Sequence, residues 1–380
     1  MDPKVKQRIA LSTFFYLSGF GFATWTSRIP TIKATLGLTD VELGSILLVM
    51  PIASLIGLPL SGYLVSKFST RVPMIVGFVL YALGLLSIGL ASSKPILVAS
   101  MFMVAFFMRI VNVSMNTQSI TVQKNYHKSI NGSFHALWSF GGITGVGFTT
   151  LMIMMDVSIV THLIIFTTLV IPASVLAFQF LILADKPLTG NKLILSKPDP
   201  FIMALGFIIF LASICEGGMF DWSGIYFREV IQVEIFTLGF LLFMTCMTLS
   251  RLGSDFVIQS LGLKTTFLIS ALLIALGIGI SVLFPTFYTA LIGFSIVGFG
   301  VAPIVPIALM QAGESKKYAA GIVVAIISTF GTTGMLIGPP VIGYLSHLFG
   351  LKFSFLIILI AGLAIIPISR YFFKIKAKTA

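Results

Sequence analysis

Charge is what this sequence has least of. Only 9% of its 380 residues are charged and 12 of them are Asp or Glu, whereas 57% are hydrophobic and the mean hydropathy is +1.07. A soluble domain needs far more polar surface than this supplies, so the chain is expected to be a polytopic membrane protein. Cysteine is just as scarce. Cys215 and Cys246 both fall inside apolar runs, where they read as small buried hydrophobes and not as a disulfide or metal pair. The four histidines, His127, His135, His162 and His347, show no metal-ligand spacing. No H-E-x-x-H, P-loop or nucleophile elbow occurs either, which argues against an enzyme and implies no cofactor or metal. The net charge of +12 is spread over short loops and both termini, so it forms no stripe for nucleic acid.

What is present is a series of long apolar runs. Lipid offers backbone groups no partner, so only helices or closed barrels cross it, and the runs lack the alternation of barrel strands. Helices are predicted at roughly 9–27, 43–65, 72–92, 96–121, 131–154, 159–183, 201–226, 236–257, 264–284, 287–311, 319–346 and 351–373, with interfacial turns expected in the eleventh segment. With both termini on the inner side, inner segments carry 17 Lys and Arg against 5 outside, which predicts cytoplasmic termini. Residues 185–199, with Pro187, Gly190, Asn191 and Pro198, are the longest polar stretch between spans. They divide an N-terminal six-helix bundle, 1–184, from a C-terminal one, 200–380.

The apolar sequence is written twice. Gly21-Phe22-Ala23-Thr24-Trp25-Thr26 returns 197 positions later as Gly218-Met219-Phe220-Asp221-Trp222-Ser223. Leu43-Gly44 returns as Leu238-Gly239, and Ser139-Phe140-Gly141 as Thr329-Phe330-Gly331, at offsets of 195 and 190. A membrane chain of two similar halves suggests a transporter whose substrate site lies between them.

Charges inside spans are functional candidates by default. Arg109 stands near the middle of the fourth span, followed by Asn112 and Asn116. It could hold an anionic or hydroxyl-rich substrate, act as counter-charge to Glu216, or tie helices together through carbonyls and amides. Glu216 and Asp221 share the seventh span but point about 140° apart, so they cannot bind one metal together. Glu216 is the first candidate for a carboxylate that binds and releases a proton; Asp221 could serve likewise or bond the backbone or Arg228. His135 and Trp138, one turn apart, share a face of the fifth span, with a packed histidine as the alternative to a proton carrier. Thr24, Trp25 and Trp222, at echoed positions, are candidates for hydrogen bonding and stacking, with interfacial anchoring as the alternative for the two tryptophans.

At these residues the chain resembles the major facilitator superfamily. Gly62-Tyr63-Leu64-Val65-Ser66-Lys67-Phe68-Ser69-Thr70-Arg71 is similar to the family's G-x-x-x-D-R-x-G-R-R loop, keeping Gly62, Lys67 and Arg71 but replacing the Asp by Ser66. Arg251, Gly253 and Asp255 stand near the corresponding place of the other half, with Arg251 and Asp255 spaced for an i, i+4 ion pair. Arg109-Ile110-Val111-Asn112 is similar to the R-x-x-Q/N part of the fourth-helix motif. Gly334-Met335-Leu336-Ile337-Gly338-Pro339 resembles a G-x-x-x-G-P motif but stands in the eleventh helix, where close packing through small residues also explains it. The strings from Asn131 to Gly141 and from Glu216 to Ser223 look like those of the MosC/YbjJ-like branch.

The resemblance implies a monomeric, multi-pass permease of the bacterial inner membrane, with helices one, four, seven and ten lining a central cavity. Its action would be alternating access, moving a small sugar-like or polyol-like solute with protons. Substrate contacts fall on Arg109, Asn112, Asn116, Thr24, Trp25, Trp138 and Trp222, proton coupling on Glu216, Asp221 and His135, and gating on Gly62, Lys67, Arg71, Arg251 and Asp255. Proton-linked efflux of an amphipathic compound is the rival within that class. A membrane receptor that binds without transporting is the rival outside it.

Overall fold

In the computed structural model, which describes residues 2–126, 130–183, 199–313 and 320–379, the twelve apolar segments are helices and no strand occurs among the described residues. The first segment is α1 (Pro3–Thr26), longer at its start than the hydropathy suggests. There Asp2 caps it, accepting from the Lys4 amide at 2.9 Å, and Pro3 occupies the first turn. A short helix not expected from the sequence, α2 (Ile29–Thr35), follows.

Proline explains where two of the segments divide. The second begins early, as α3 (Asp40–Leu47), and resumes as α4 (Val49–Phe68). Pro51 can neither donate to the Leu47 carbonyl nor sit beside it, so the ladder breaks there. The tenth divides in the same way into α12 (Phe287–Val301) and α13 (Ile304–Gly313), where Pro303 and Pro306 each remove a backbone donor.

Between them run α5 (Arg71–Gly89), α6 (Lys94–Gln123), α7 (Asn131–Met154), α8 (Ile159–Phe178), α9 (Pro200–Glu229), α10 (Leu238–Leu261) and α11 (Leu263–Leu283). The chain ends with α14 (Ala320–Phe349), α15 (Leu351–Ser354) and α16 (Leu356–Thr379). Contrary to the expected interfacial turns, α14 is one helix of 30 residues that continues through Pro339 and Pro340. Nine described helical segments are long and apolar enough to cross a membrane; α1, α10 and α14 supply the other three of the twelve. The 185–199 segment lies outside the described residues except for Asp199, whose carboxylate caps α9 by accepting from the Ile202 amide at 3.0 Å.

The chain forms two compact units. The first comprises residues 1–38 and 46–192, the second 39–45 and 193–380. The exchange of 39–45 was not expected. These residues pack on the end of α14: Ser346 donates to the Asp40 carboxylate, and the Ser45 and Tyr344 hydroxyls lie 2.9 Å apart. A Cβ on Gly343 would come within 2.6 Å of the Asp40 carbonyl.

Each unit repeats the same neighbour scheme. In the first, α1 packs on α7 and α8, α6 on α4 and α5, and α5 on α8. In the second, α9 packs on α14 and α16, α12 on α10 and α11, and α11 on α16. In lipid, helices gain little from burying apolar surface against each other, so close approach of backbones through small residues decides the fit. A Cβ on Gly141 or Gly145 would stand 2.1 or 2.5 Å from the carbonyls of Tyr16 or Phe20. One on Gly334 or Gly338 would stand 2.2 or 2.9 Å from those of Phe210 or Ile214. The glycines repeat at 193 residues and the carbonyls at 194. This packing corrects the sequence alignment of the repeats: Gly141 corresponds to Gly334, not Gly331, and Trp222 stands three residues beyond the position equivalent to Trp25. It also identifies Gly334-x-x-x-Gly338 as a packing stripe.

Candidate functional site

Arg109 is held by the contact of α4 with α6 in the first unit. Gly57 makes this approach possible, since a Cβ there would lie 3.1 Å from the Phe106 carbonyl and 3.4 Å from the Arg109 Cβ. One turn earlier on α4, Ser54 accepts from Arg109 Nε at 2.6 Å. The guanidinium is half-buried and sits midway along the 30 residues of α6, about 22 Å from each end. Asn112 and Asn116 follow on the same face, at i+3 and i+7. Asn112 is half-buried; Asn116 is exposed and donates through Nδ2 to the Asn112 carbonyl at 2.8 Å. Arg109, Asn112 and Asn116 therefore form one polar strip. Ser54, which the sequence reading missed, was detectable only as a hydroxyl within an apolar span.

Of the remaining substrate candidates, Trp138 is half-buried and packs against Phe22 at 5.7 Å. Thr24 and Trp25 are buried, and the Thr24 hydroxyl donates to the Phe20 carbonyl at 2.8 Å. Trp222 is fully buried in the second unit, its indole Nε1 donating to the Pro339 carbonyl at 2.9 Å. Thr24 and Trp222 are thus each bonded to helix backbone here.

The second unit places Glu216 beside Arg251. Arg251 Nη2 donates to Glu216 Oε1 at 2.8 Å, the acid side chain 9% exposed and the arginine 30%. Glu216 was not expected as a partner of Arg251; the expected pairing with Asp255 falls on a side chain that lies outside the described residues. Glu216 is fixed by glycines on both sides of the α9 contact: a Cβ on Gly217 would meet the Met335 carbonyl at 3.2 Å, and one on Gly218 would meet Ile342 at 2.7 Å. Asp221 is half-buried and makes neither a hydrogen bond nor an ion pair among the described residues; Arg228 instead stacks over Phe236 at 5.4 Å. His135 is exposed on α7 and meets the Phe15 ring edge-on at 5.5 Å, so the shared face with Trp138 holds.

The α4–α5 loop holds its cations on aromatics and carbonyls, not on an acid. Lys67 donates to the Tyr63 hydroxyl at 2.9 Å and lies over the Tyr63 and Phe68 rings, each at 5.3 Å. Arg71 stacks on Phe178 at 4.1 Å and donates through Nε to its carbonyl at 3.1 Å. Gly62 is exposed with open space around its Cα. At the α1–α2 turn of the same unit a further pair was not anticipated: buried Arg28 donates from Nε to His162 Nδ1 at 3.1 Å and from Nη2 to the Val157 carbonyl at 2.9 Å. Burial lowers the Arg28 pKa to about 10.

The sequence profile of the Major Facilitator Superfamily matches residues 9–331. An uncharacterized MFS-type transporter from Yersinia pestis is 30% identical over 358 residues, 93% of each chain. Membrane protein MosC from Rhizobium meliloti is 26% identical over 375 residues, covering 98% of this chain and 91% of its own. Among solved structures, the nucleoside transporter NupG superposes with a TM-score of 0.74 at 17% identity, covering 98% of this chain and 99% of its own. A bacterial homolog of the human lysosomal transporter Spinster gives 0.77 at 13% identity, covering 98% of each chain.

Proposed function

Because this chain belongs to the major facilitator superfamily, we propose that it is a proton-coupled secondary transporter that moves a small polar, sugar-like or polyol-like solute by alternating access. The observation that carries the coupling is the Glu216–Arg251 pair. A coupling group must change charge during the cycle, and here a buried carboxylate lies 2.8 Å from a guanidinium that is itself partly exposed. With Glu216 ionised the pair is neutral and closed. Protonation of Glu216 removes one charge, takes from the arginine the counter-charge on α9 and weakens the contact, so proton binding is converted into a change of electrostatic stability between two arrangements of the same helices. The α6 strip of Arg109, Asn112 and Asn116 supplies the donors and acceptors for the solute. Its place is the bacterial inner membrane, with both termini cytoplasmic.

Uptake into proteoliposomes with and without an imposed pH gradient tests this reading. Glu216→Gln keeps the side-chain shape and removes the titration; accumulation driven by the gradient should be lost while counterflow exchange continues. Undiminished gradient-driven uptake in Glu216→Gln would refute the coupling role.

A further inference from the structure

Arg109 has no counter-charge among the described residues of its own unit. From residue 1 to 38 and from 46 to 183 the only acids are Asp2 and Asp156, and neither lies within a membrane-crossing part of a helix. The nearest partner of the guanidinium is the neutral Ser54 hydroxyl. The one acid placed near the middle of a span in the second unit, Glu216, is held by Arg251 at 2.8 Å. A half-buried guanidinium near mid-membrane without an anion is costly, and a fold that needed only a helix tie there could use a neutral amide.

We infer that the substrate supplies the missing charge: it is a small hydroxylated monocarboxylate, a sugar acid or a hydroxy acid, whose carboxylate is held by Arg109. This rests on the transport reading and names its substrate class. Ser54 accepts from Nε, which fixes the plane of the guanidinium and leaves the Nη1/Nη2 edge to meet two carboxylate oxygens at once. Asn112 and Asn116, on the same face of α6, are placed to bond hydroxyls further along the solute. One carboxylate taken up with one proton on Glu216 moves no net charge, so uptake should respond to the pH gradient and little to membrane potential.

The test compares charged and neutral solutes of one shape on the purified full-length protein: gluconate, glucuronate and lactate against glucitol and glucuronamide. Thermal shift and calorimetry should show binding of at least one acid and none of its neutral counterpart. Arg109→Gln should weaken that binding at least about tenfold, the loss of a bidentate charge-assisted pair, and Arg109→Lys should restore only part of it. Binding of glucuronamide as tight as that of glucuronate, unchanged acid binding in Arg109→Gln, or no response to any of the three acids would each overturn the inference. The comparison among ligands needs no variant, so a poorly folding Arg109→Gln does not remove the test. Counterflow in proteoliposomes separates the two readings: Arg109-dependent acid binding without counterflow sinks the transport reading, and counterflow of a neutral solute sinks this one.

Discussion

Glu216 on α9 and Arg251 on α10 form an ion pair, at 2.8 Å, between neighbouring spans of one unit. The acid is the more deeply buried partner, so loss of the arginine leaves a buried charge without this compensation, whereas loss of the acid leaves a cation that is already partly exposed. The pair is therefore asymmetric in its consequences.

That asymmetry predicts the order of stabilities in a double-mutant cycle. Arg251→Gln should destabilise the second unit more than Glu216→Gln, and the double variant should be less destabilised than the sum of the two by about 1–3 kcal/mol. Thermal denaturation of the four proteins in one detergent measures it. Additive losses would mean that the contact carries no coupling.

The glycine stripes predict equivalent sensitivity in the two units. Gly141→Ala and Gly334→Ala would each push a methyl to within 2.1 or 2.2 Å of a neighbouring backbone carbonyl, so α7 must move off α1, or α14 off α9. Each should cost about 1–3 kcal/mol, seen as a fall in melting temperature. Gly147→Ala on α7 is the control, because nothing lies within 4 Å of its added Cβ, and better helix propensity should make it neutral or stabilising. Equal tolerance of all three would contradict the packing account.

Ser69 predicts a gain. It stands at φ 61, ψ −179, a region essentially reserved for glycine, and it occupies the glycine position of the family's loop motif. Its hydroxyl makes only a 3.4 Å contact with the Leu183 carbonyl. Ser69→Gly should therefore stabilise the protein by about 1 kcal/mol, since relief of backbone strain exceeds the loss of a weak hydrogen bond. A lowered melting temperature would show that the hydroxyl matters more than the strain.

The apolar runs made the helices legible because a span must be about 20 apolar residues long, and the scarcity of charge singled out Arg109, Glu216 and Asp221. Pairing was harder to read. Which cation faces Glu216 depends on the rotation of α9 set by Gly217 and Gly218 against α14 and α16, and no spacing within α10 reveals it. Helical spacing directed attention from Arg251 to Asp255, four residues along the same helix, and gave no hint of a partner 35 residues away. The repeat was visible as echoed strings, yet its register emerged from backbone contacts, since glycine and carbonyl positions must match where tryptophans need not. Arg28 looked like an outer-loop charge; its burial against His162 follows from the fold of the α1–α2 turn, which apolar periodicity does not describe.

Membrane orientation yields the last prediction. Twelve spans, an even number, put both termini on one side, and the excess of Lys and Arg in the termini and alternate connections, 17 against 5, predicts that this side is the cytoplasm. A cysteine introduced by Lys192→Cys should then resist an impermeant maleimide added to intact cells and react once the membrane is opened. Lys352→Cys, in the connection that begins α15, should react from outside. Native Cys215 is buried and Cys246 half-buried, so a background with both replaced by Ala isolates the two introduced thiols. Labelling of the Lys192→Cys protein in intact cells together with protection of the Lys352→Cys protein would invert the topology.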